Sequence, residues 1–255
     1  MSHTRRNFLK FMGLAAAGLC AGSAGSALAA AEAGPVRAAD ALKAKRWAMV
    51  IDTTKVGTKE TIDVLAKACH HAHNVPDIPT KQNVKWIWAA SYDEAFDQPN
   101  DHGNDAMEKR EFALLCNHCT HPPCVRVCPT QATFQRPDGI VAMDYHRCIG
   151  CRYCMAACPF GARSFNFMEP RLYLDLNNLN KEFPTRMRGV VEKCNFCVDR
   201  LAHGKQPACV EASNGALAFG DLSDPNSEVR KLLREHYTIR RKPSLGTEPG
   251  VYYII

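Results

Sequence analysis

The sequence lacks the features that would mark a membrane-spanning chain or a self-sufficient redox enzyme. No apolar run reaches the roughly 20 residues that a membrane-spanning helix needs, since the stretch at 11–19 is short and rich in glycine and alanine. No C-x-x-C-H motif occurs, which excludes covalently attached haem. Flavin and nicotinamide fingerprints, a molybdopterin-sized domain and a catalytic constellation are also missing. The chain is therefore predicted not to be catalytic by itself.

The charge pattern lacks the basic patch that a nucleic-acid-binding protein presents. The formal net charge is +6, but Lys and Arg are dispersed along the chain. The run Arg240-Arg241-Lys242 is the exception, and a short run of this kind usually forms a solvated surface. No nucleic-acid partner is therefore predicted.

Cysteine is abundant instead, with 13 residues, most of them in two compact central blocks. The blocks are Cys116-x2-Cys119-x4-Cys124-x3-Cys128-Pro129 and Cys148-x2-Cys151-x2-Cys154-x3-Cys158-Pro159. The second reproduces the bacterial ferredoxin run C-x2-C-x2-C-x3-C-P, in which three thiolates bind one [4Fe–4S] cluster and the fourth binds its neighbour. The same exchange predicts one cluster on Cys116, Cys119, Cys124 and Cys158, and another on Cys148, Cys151, Cys154 and Cys128.

Two other interpretations of these cysteines remain open at this point. Cysteines in C-x2-C pairs also form structural zinc sites, although zinc sites do not need the C-x3-C-P ending. Disulfides would form outside the cytoplasm, but cysteines within one tight loop make poor framework bridges. The spacing favours iron–sulfur clusters over both alternatives.

Residues 1–29 have the composition of an export signal. The segment Thr4-Arg5-Arg6-Asn7-Phe8-Leu9-Lys10 places a twin arginine before the apolar stretch, and Ala27-Leu28-Ala29 supplies an A-x-A cleavage pattern. Together they predict Tat export and a periplasmic location. The Tat pathway carries folded proteins, which agrees with cofactors that are inserted before export. Retention of the segment as an uncleaved anchor is the alternative.

Two further cysteine-bearing segments flank the central blocks. Downstream, Cys194-x2-Cys197-x11-Cys209 supplies three thiolates, one short of the four that a [4Fe–4S] cluster needs. Upstream, Cys69 is followed by His70, His71 and His73. On these residues alone, Cys69 is either a buried apolar side chain or part of a zinc or haem site with the histidines.

These motifs carry a resemblance to a known family over most of the chain, from about Trp47 onward. The matching segments lie at 49–52, 68–76, 115–129, 138–141, 148–154 and 193–209. They resemble the periplasmic ferredoxin-type electron-transfer subunits of membrane oxidoreductases, of the NrfC, PsrB and HybA type. The resemblance implies an α+β fold of tandem bacterial-ferredoxin-like [4Fe–4S] modules with short hairpins, loops and an insertion.

The family has four cysteine blocks, and this sequence departs from that pattern in the first and the last. If Cys69 is the fourth cysteine of the first block, the three preceding positions hold Lys59, Ile62 and Leu65, while Ser213 replaces the last cysteine of the final block. By the crossing rule, these four positions belong to one cluster, which is predicted to be absent. The resemblance thus implies a third [4Fe–4S] cluster on Cys194, Cys197, Cys209 and Cys69. Only Cys20, inside the predicted signal, is left unassigned.

The predicted organisation has three parts: a signal peptide at 1–29, an N-terminal lead at 30–46 and an iron–sulfur domain at 47–255. Within the domain we expect an insertion at 76–107 and a central two-cluster module at 108–165. A degenerate outer module combines 47–75 with 190–220.

Turn chemistry predicts local structure between the blocks. Pro137-Asp138-Gly139 predicts a hairpin between 133–136 and 140–143, with a counterpart at 216–219. Asp224-Pro225 predicts the start of a helix. That helix would carry Val229, Leu232, Leu233 and His236 on one side.

The predicted function is electron transfer through three [4Fe–4S] clusters, between a membrane quinone-interacting subunit and a periplasmic redox partner. The protein would be bound peripherally to the membrane through its complex. Within the family, the three-cluster pattern resembles DsrO of the DsrMKJOP complex, which implies an NrfD-like integral membrane partner (DsrP-like) and a periplasmic c-type cytochrome (DsrJ-like). One alternative is an electron-transfer subunit of a molybdopterin, nitrite reductase or hydrogenase complex. An alternative of another class is a structural metal-binding assembly protein.

Overall fold

The computed structural model describes residues 39–97, 107 and 109–255, in which short strands and helices alternate. The strands are β1 (Trp47–Asp52), β2 (Ile87–Ala90), β3 (Phe112–Leu115), β4 (Thr133–Gln135), β5 (Val141–Met143), β6 (Ser164–Phe165), β7 (Val191–Glu192), β8 (Leu217–Asp221), β9 (Thr238–Ile239) and β10 (Val251–Ile254). The helices are α1 (Lys59–Ala72), α2 (Tyr92–Ala95), α3 (Pro123–Arg126), α4 (Tyr153–Ala156), α5 (Val198–Ala202), α6 (Ala208–Glu211) and α7 (Glu228–Glu235), with 3-10 turns at Pro170–Tyr173 and Pro243–Leu245. The predicted α+β fold class is confirmed.

A four-stranded mixed sheet joins segments that lie far apart in the sequence. Its order is β8–β1–β10–β9, with β1 antiparallel to β8 and parallel to β10. Met49 of β1 lies opposite Phe219 on one side and Val251 on the other. The apolar run of β1 is buried, as expected for a strand with a neighbour on each edge and packing on both faces. The strand predicted at 216–219 is present as β8, but its partner is β1.

Helix α1 places Cys69 in the interior. Thr58 caps the helix, because its side chain accepts from the backbone N–H of Thr61 while the Thr61 hydroxyl donates to the Thr58 carbonyl at 2.8 Å. Apolar side chains recur along one face at helical spacing. The buried residues of that face are Ile62, Leu65, Cys69 and Ala72.

Three antiparallel ribbons, β2–β3, β4–β5 and β6–β7, connect the cysteine loops. The predicted hairpin is confirmed as β4–β5, in which Thr133 faces Met143. Gly139 turns the chain between these strands with a φ of +82°, a conformation that glycine adopts without a steric penalty.

The segment predicted as an insertion packs into the body where the structure describes it. Strand β2 pairs with β3 over its full length. Trp86, which precedes β2, is buried, and its Nε1–H donates to the Glu192 carboxylate at 2.9 Å. Residues 76–97 are therefore part of the folded core.

The helix predicted from Asp224-Pro225 begins later than expected. Helix α7 starts at Glu228 and is capped by Ser227. The Asp224 carboxylate instead accepts from the backbone two residues on, as aspartate does in a local turn. Val229 packs against the sheet as predicted, whereas His236 lies beyond the end of the helix with extended backbone.

The end of the predicted N-terminal lead is bonded to the rest of the fold. The Leu42 N–H donates to the Leu201 carbonyl at 2.9 Å. The backbone N–H groups of Lys45 and Arg46 donate to the Asp221 carboxylate at 2.8 and 3.0 Å. The predicted signal peptide at 1–29 lies outside the described residues. Among the helices that the structure describes, none has the length and apolar character to cross a membrane.

Candidate metal centres

The two central cysteine blocks have the same backbone construction. In each block the third cysteine lies on a one-turn helix, with Cys124 on α3 and Cys154 on α4. The chain then leaves each helix with an equivalent hydrogen bond, from the Cys128 N–H and from the Cys158 N–H to the carbonyl three residues earlier, at 3.3 and 3.2 Å. The C-x3-C spacing is therefore used in the same way twice.

The first two cysteines of three blocks are joined by the same left-handed turn. The residue before the second cysteine has positive φ in each case: 42° at His118, 69° at Gly150 and 54° at Phe196. Alternating right- and left-handed residues point successive backbone N–H groups toward one spot, which favours a bound anion such as a thiolate-ligated cluster. In the last block, the Phe196 N–H donates to Cys194 Sγ at 3.5 Å.

The structure brings the crossing cysteine of each central block to the other block. One pocket is lined by Cys116, Cys119, Cys124 and Cys158. A second pocket is lined by Cys128, Cys148, Cys151 and Cys154. Each pocket thus presents three thiols from one block and one from the other.

A third group of thiols joins the outer segments. Burial raises the pKa of Cys69, and the neighbouring thiols of Cys197, Cys194 and Cys209 raise it further. All four side chains are buried. The tight apolar contact between α1 and α6 involves Ala72, Cys197 and Ala208. Helix α1 therefore carries Cys69 to the three cysteines that follow β7.

The electrostatics of these thiols suit metal-bound rather than free thiolates. Burial raises the pKa of Cys119 and of Cys209 to about 12, so each would stay protonated without a positive partner. Bound iron would supply that partner, because a thiol loses its proton when it ligates a metal. At Cys128 burial would also raise the pKa, but hydrogen bonds from Thr133 and Thr130 outweigh it and lower the pKa. The four-cysteine groups therefore fit the cluster chemistry that their spacing predicts.

Of the histidines that follow Cys69, His73 has partners of its own. His73 Nδ1–H donates to the Cys69 carbonyl at 2.8 Å, and the ring stacks on Trp86 with centroids 4.6 Å apart. Burial lowers the pKa of His73, whose Nε2 lies 3.8 Å from the Asp199 carboxylate. In the part of the chain that the structure describes, no three or more His, Cys, Asp or Glu side chains are placed to hold a single metal ion, and no disulfide is formed.

The four positions at which cysteine is replaced do not form a polar site. Ile62 and Leu65 belong to the apolar core. Lys59 lies at the surface and pairs with Asp63 at 2.6 Å. The Ser213 hydroxyl donates to the Val210 carbonyl at 2.7 Å and accepts from the Leu217 N–H at 3.0 Å. Apolar packing, a surface ion pair and local capping thus account for the four positions at which a cluster is predicted to be absent.

Two buried charged groups near the cysteines escaped the sequence analysis. Arg186 and Glu192 form an ion pair at 2.7 Å with exposed fractions of 1% and 0%, and Arg186 also donates to the His73 and Asn74 carbonyls. Arg163 lines the first pocket. Neither group belongs to a sequence motif. The one hint in the sequence is that Arg163 lies shortly after Cys158 and Pro159, which end the second block.

Comparison with known proteins shows similarity well beyond the two central cysteine blocks. The family model for the 4Fe-4S dicluster domain matches residues 108–170. Hdr-like menaquinol oxidoreductase iron-sulfur subunit 1 of Archaeoglobus fulgidus is 41% identical, over 98% of this chain and 97% of that protein. The B subunit of polysulfide reductase from Wolinella succinogenes is 42% identical, over 83% and 95%. Protein NrfC of Escherichia coli is 34% identical, over 100% and 96%.

These relatives share more with the chain than the dicluster segment. Their alignments cover the outer segments that bear Cys69 and Cys194 to Cys209 as well as the central blocks. The A. fulgidus protein is named as an iron–sulfur subunit of a menaquinol oxidoreductase. The chain belongs to the NrfC/PsrB family of ferredoxin-type, [4Fe–4S]-binding electron-transfer subunits.

Proposed function

We propose that this chain relays electrons through three [4Fe–4S] clusters, between a membrane quinone-interacting subunit and a periplasmic redox partner. The grouping of twelve cysteines into three sets of four supports this most strongly. Four is the number of cysteine ligands that a [4Fe–4S] cluster takes. Each set is built from segments that are separate in sequence, so it forms only in the folded chain.

Each set would hold one cluster. The ligand sets are Cys116, Cys119, Cys124 and Cys158; Cys148, Cys151, Cys154 and Cys128; and Cys194, Cys197, Cys209 and Cys69. When bound, such a cluster accepts and releases single electrons at a potential set by burial and by hydrogen bonds to its sulfurs. The chain supplies both, for example through the backbone donors of Thr133 to Cys128 and of Phe196 to Cys194, each at 3.5 Å.

We further propose a menaquinone-linked complex outside the cytoplasm. The A. fulgidus relative is named as a subunit of a menaquinol oxidoreductase, which supports menaquinone as the electron carrier in the membrane. The twin arginine and the A-x-A pattern within 1–29 support Tat export. The partners would be an NrfD-like integral membrane subunit of the DsrP type and a periplasmic c-type cytochrome of the DsrJ type, as in a DsrMKJOP-like complex.

An exposed apolar face beside the second cysteine set is the proposed contact with the membrane subunit. Ile149 and Tyr153 are 67% and 62% exposed and lie on either side of Cys151, which is itself exposed. Between them, the Arg152 guanidinium rests over Phe165 and Phe167, 5.5 and 5.7 Å from the ring centroids. Apolar side chains exposed next to a redox centre favour a partner that both covers them and exchanges electrons there.

Iron and acid-labile sulfide, measured on the isolated iron-loaded chain, test the cluster count. About twelve irons support three clusters, whereas about eight or sixteen would contradict the ligand sets. Co-purifying c-type haem would support the DsrMKJOP-like assignment. Redox titration followed by electron paramagnetic resonance (EPR) separates electron transfer from a structural role, because sites that only hold the fold would not be reversibly reduced.

One alternative function has an observation in its favour. The 42% identity to the polysulfide reductase subunit supports an electron-transfer subunit for a molybdopterin reductase. Molybdenum in the purified native complex, without c-type haem, would favour this alternative. Both assignments use the same cysteine sets and differ only in the terminal partner.

A further inference from the structure

Arg163 is a buried cation placed beside both central cysteine sets. Its side chain is buried, with the residue only 5% exposed, and it lines the cavity formed by the first set. Nη1 donates to the Thr133 hydroxyl at 3.1 Å and lies 3.3 Å from Met143 Sδ. Nη2 is buried without a hydrogen-bond partner among the residues that the structure describes. The guanidinium is therefore anchored on one side and has donor capacity left on the other.

The negative charge that balances Arg163 comes from cysteine. Across residues 39–97, 107 and 109–255, no carboxylate lies within ion-pair distance of Arg163, unlike Arg186, which has Glu192. A buried guanidinium without a counter-charge is strongly unfavourable. Arg163 lines one pocket with Cys116 and Cys124 of the first set. Its hydrogen-bond partner Thr133 lines the other pocket, with Cys154 of the second set. The guanidinium is thus placed next to cysteines of both central sets.

We propose that Arg163 is a shared counter-ion of the two central clusters and raises the reduction potential of both. This rests on the proposed function, because it takes the first two cysteine sets as cluster ligands. Reduction adds one negative charge to a cluster, and a fixed cation in a water-poor site stabilises that added charge. One side chain thereby biases two adjacent centres in the same direction. No cysteine of the third set lines the pocket of Arg163 or that of its Thr133 partner, so the third cluster should be affected least.

The test is an EPR-monitored redox titration of the iron-loaded full chain. Arg163→Gln should lower the midpoint potentials of both central clusters by at least about 59 mV. For one electron, that shift is a tenfold change in the reduction equilibrium constant. Arg163→Lys, which keeps the charge, should retain most of the parent potentials. Arg126→Gln is the matched control, because it removes an equal charge from an exposed position two residues before Cys128.

Each outcome of this experiment decides the proposal. It is overturned if Arg163→Gln loads iron fully and leaves the central potentials unchanged, or shifts the third cluster equally. If Arg163→Gln fails to load the central clusters while Arg163→Lys loads them, the positive charge is required and the proposal stands. If neither variant loads them, shape rather than charge is required and the proposal fails. A parent protein without the eight or so irons of a central pair would instead contradict the proposed function.

Discussion

The ring of His118 lies face to face with that of Phe196, with centroids 3.7 Å apart and planes 20° from parallel. His118 stands between Cys116 and Cys119, and Phe196 between Cys194 and Cys197. Both rings are fully buried. The Val141 N–H donates to His118 Nδ1 at 3.0 Å and fixes the ring from the β4–β5 hairpin. This stack holds the turn of the first cysteine set against that of the third.

Phe196→Ala should therefore lower the free energy of unfolding by about 3–5 kcal/mol, the usual cost of deleting a buried aromatic ring. Denaturant unfolding of the iron-loaded protein measures the change. Phe134→Ala is the control, because that ring is partly exposed and should cost much less. Equal destabilisation by the two variants would mean that the stack adds nothing to stability.

Cys69→Ser should reduce iron from about twelve to about eight atoms per chain and leave the two central clusters intact. The physical reason is that serine has no thiolate to complete the third set. Val64→Ser, at an exposed position of the same helix, is the control and should leave the iron content unchanged. Iron analysis and EPR check the result; a Cys69→Ser protein with the parent's iron content would remove Cys69 from the ligands.

Gly150→Ala should be more harmful than Gly161→Ala, although both glycines have positive φ. At Gly161 a Cβ would meet nothing within 4 Å, so the cost is the left-handed backbone alone, about 1–2 kcal/mol. At Gly150 a Cβ would overlap the Gly189 carbonyl and push the turn that joins Cys148 to Cys151. We expect a larger loss of stability and a changed EPR signal for the second set only. Indistinguishable variants would show that this turn tolerates displacement.

Arg186→Met should destabilise the protein by about 3–5 kcal/mol, because it leaves the Glu192 carboxylate charged and buried. The remaining donors to that carboxylate, from Trp86 and Asn166, do not replace the lost positive charge. Lys231→Met is the control, since its pair with Glu228 is exposed and should be worth about 0–1 kcal/mol. Denaturant unfolding of both variants measures the change. If Arg186→Met lowers the free energy of unfolding no more than Lys231→Met does, the buried ion pair is not important for stability.

Ile149→Glu should release the chain from the proposed membrane subunit without loss of iron. A carboxylate in the centre of the exposed apolar face would have to be desolvated on docking. Val64→Glu, at a 53% exposed position on α1, introduces the same charge elsewhere and should leave the complex intact. Co-purification from solubilised membranes measures the effect. Retention of Ile149→Glu in the complex would place the contact on another face.

Local chemistry made much of the central region predictable. The turns within each cysteine loop and the Pro137-Asp138-Gly139 turn depend on residues that are neighbours in sequence. The structure has both the cysteine turns and the hairpin that were expected. The parallel pairing of β1 with β10 could not be predicted, because the residues of either strand alone are compatible with many partner strands. Helix α7 was predicted too early because the turn chemistry of Asp224 resembles a helix cap.

Buried charge was the least predictable part of the site. Arg163 and Arg186 look like ordinary surface arginines in the sequence, where most such residues are exposed. Only tertiary packing reveals that Arg186 has a carboxylate partner and that Arg163 has none among the described residues.

The pairing of β1 with β10 also bears on the order of assembly during synthesis. Met49 and Val251 face each other across the sheet, and every cysteine set draws its members from the chain between them. The Tyr253 hydroxyl donates to the Ala113 carbonyl in β3, the strand that leads into Cys116. Closing so long a loop is slow compared with forming local turns. We therefore expect the local cysteine turns to form before β10 joins the sheet.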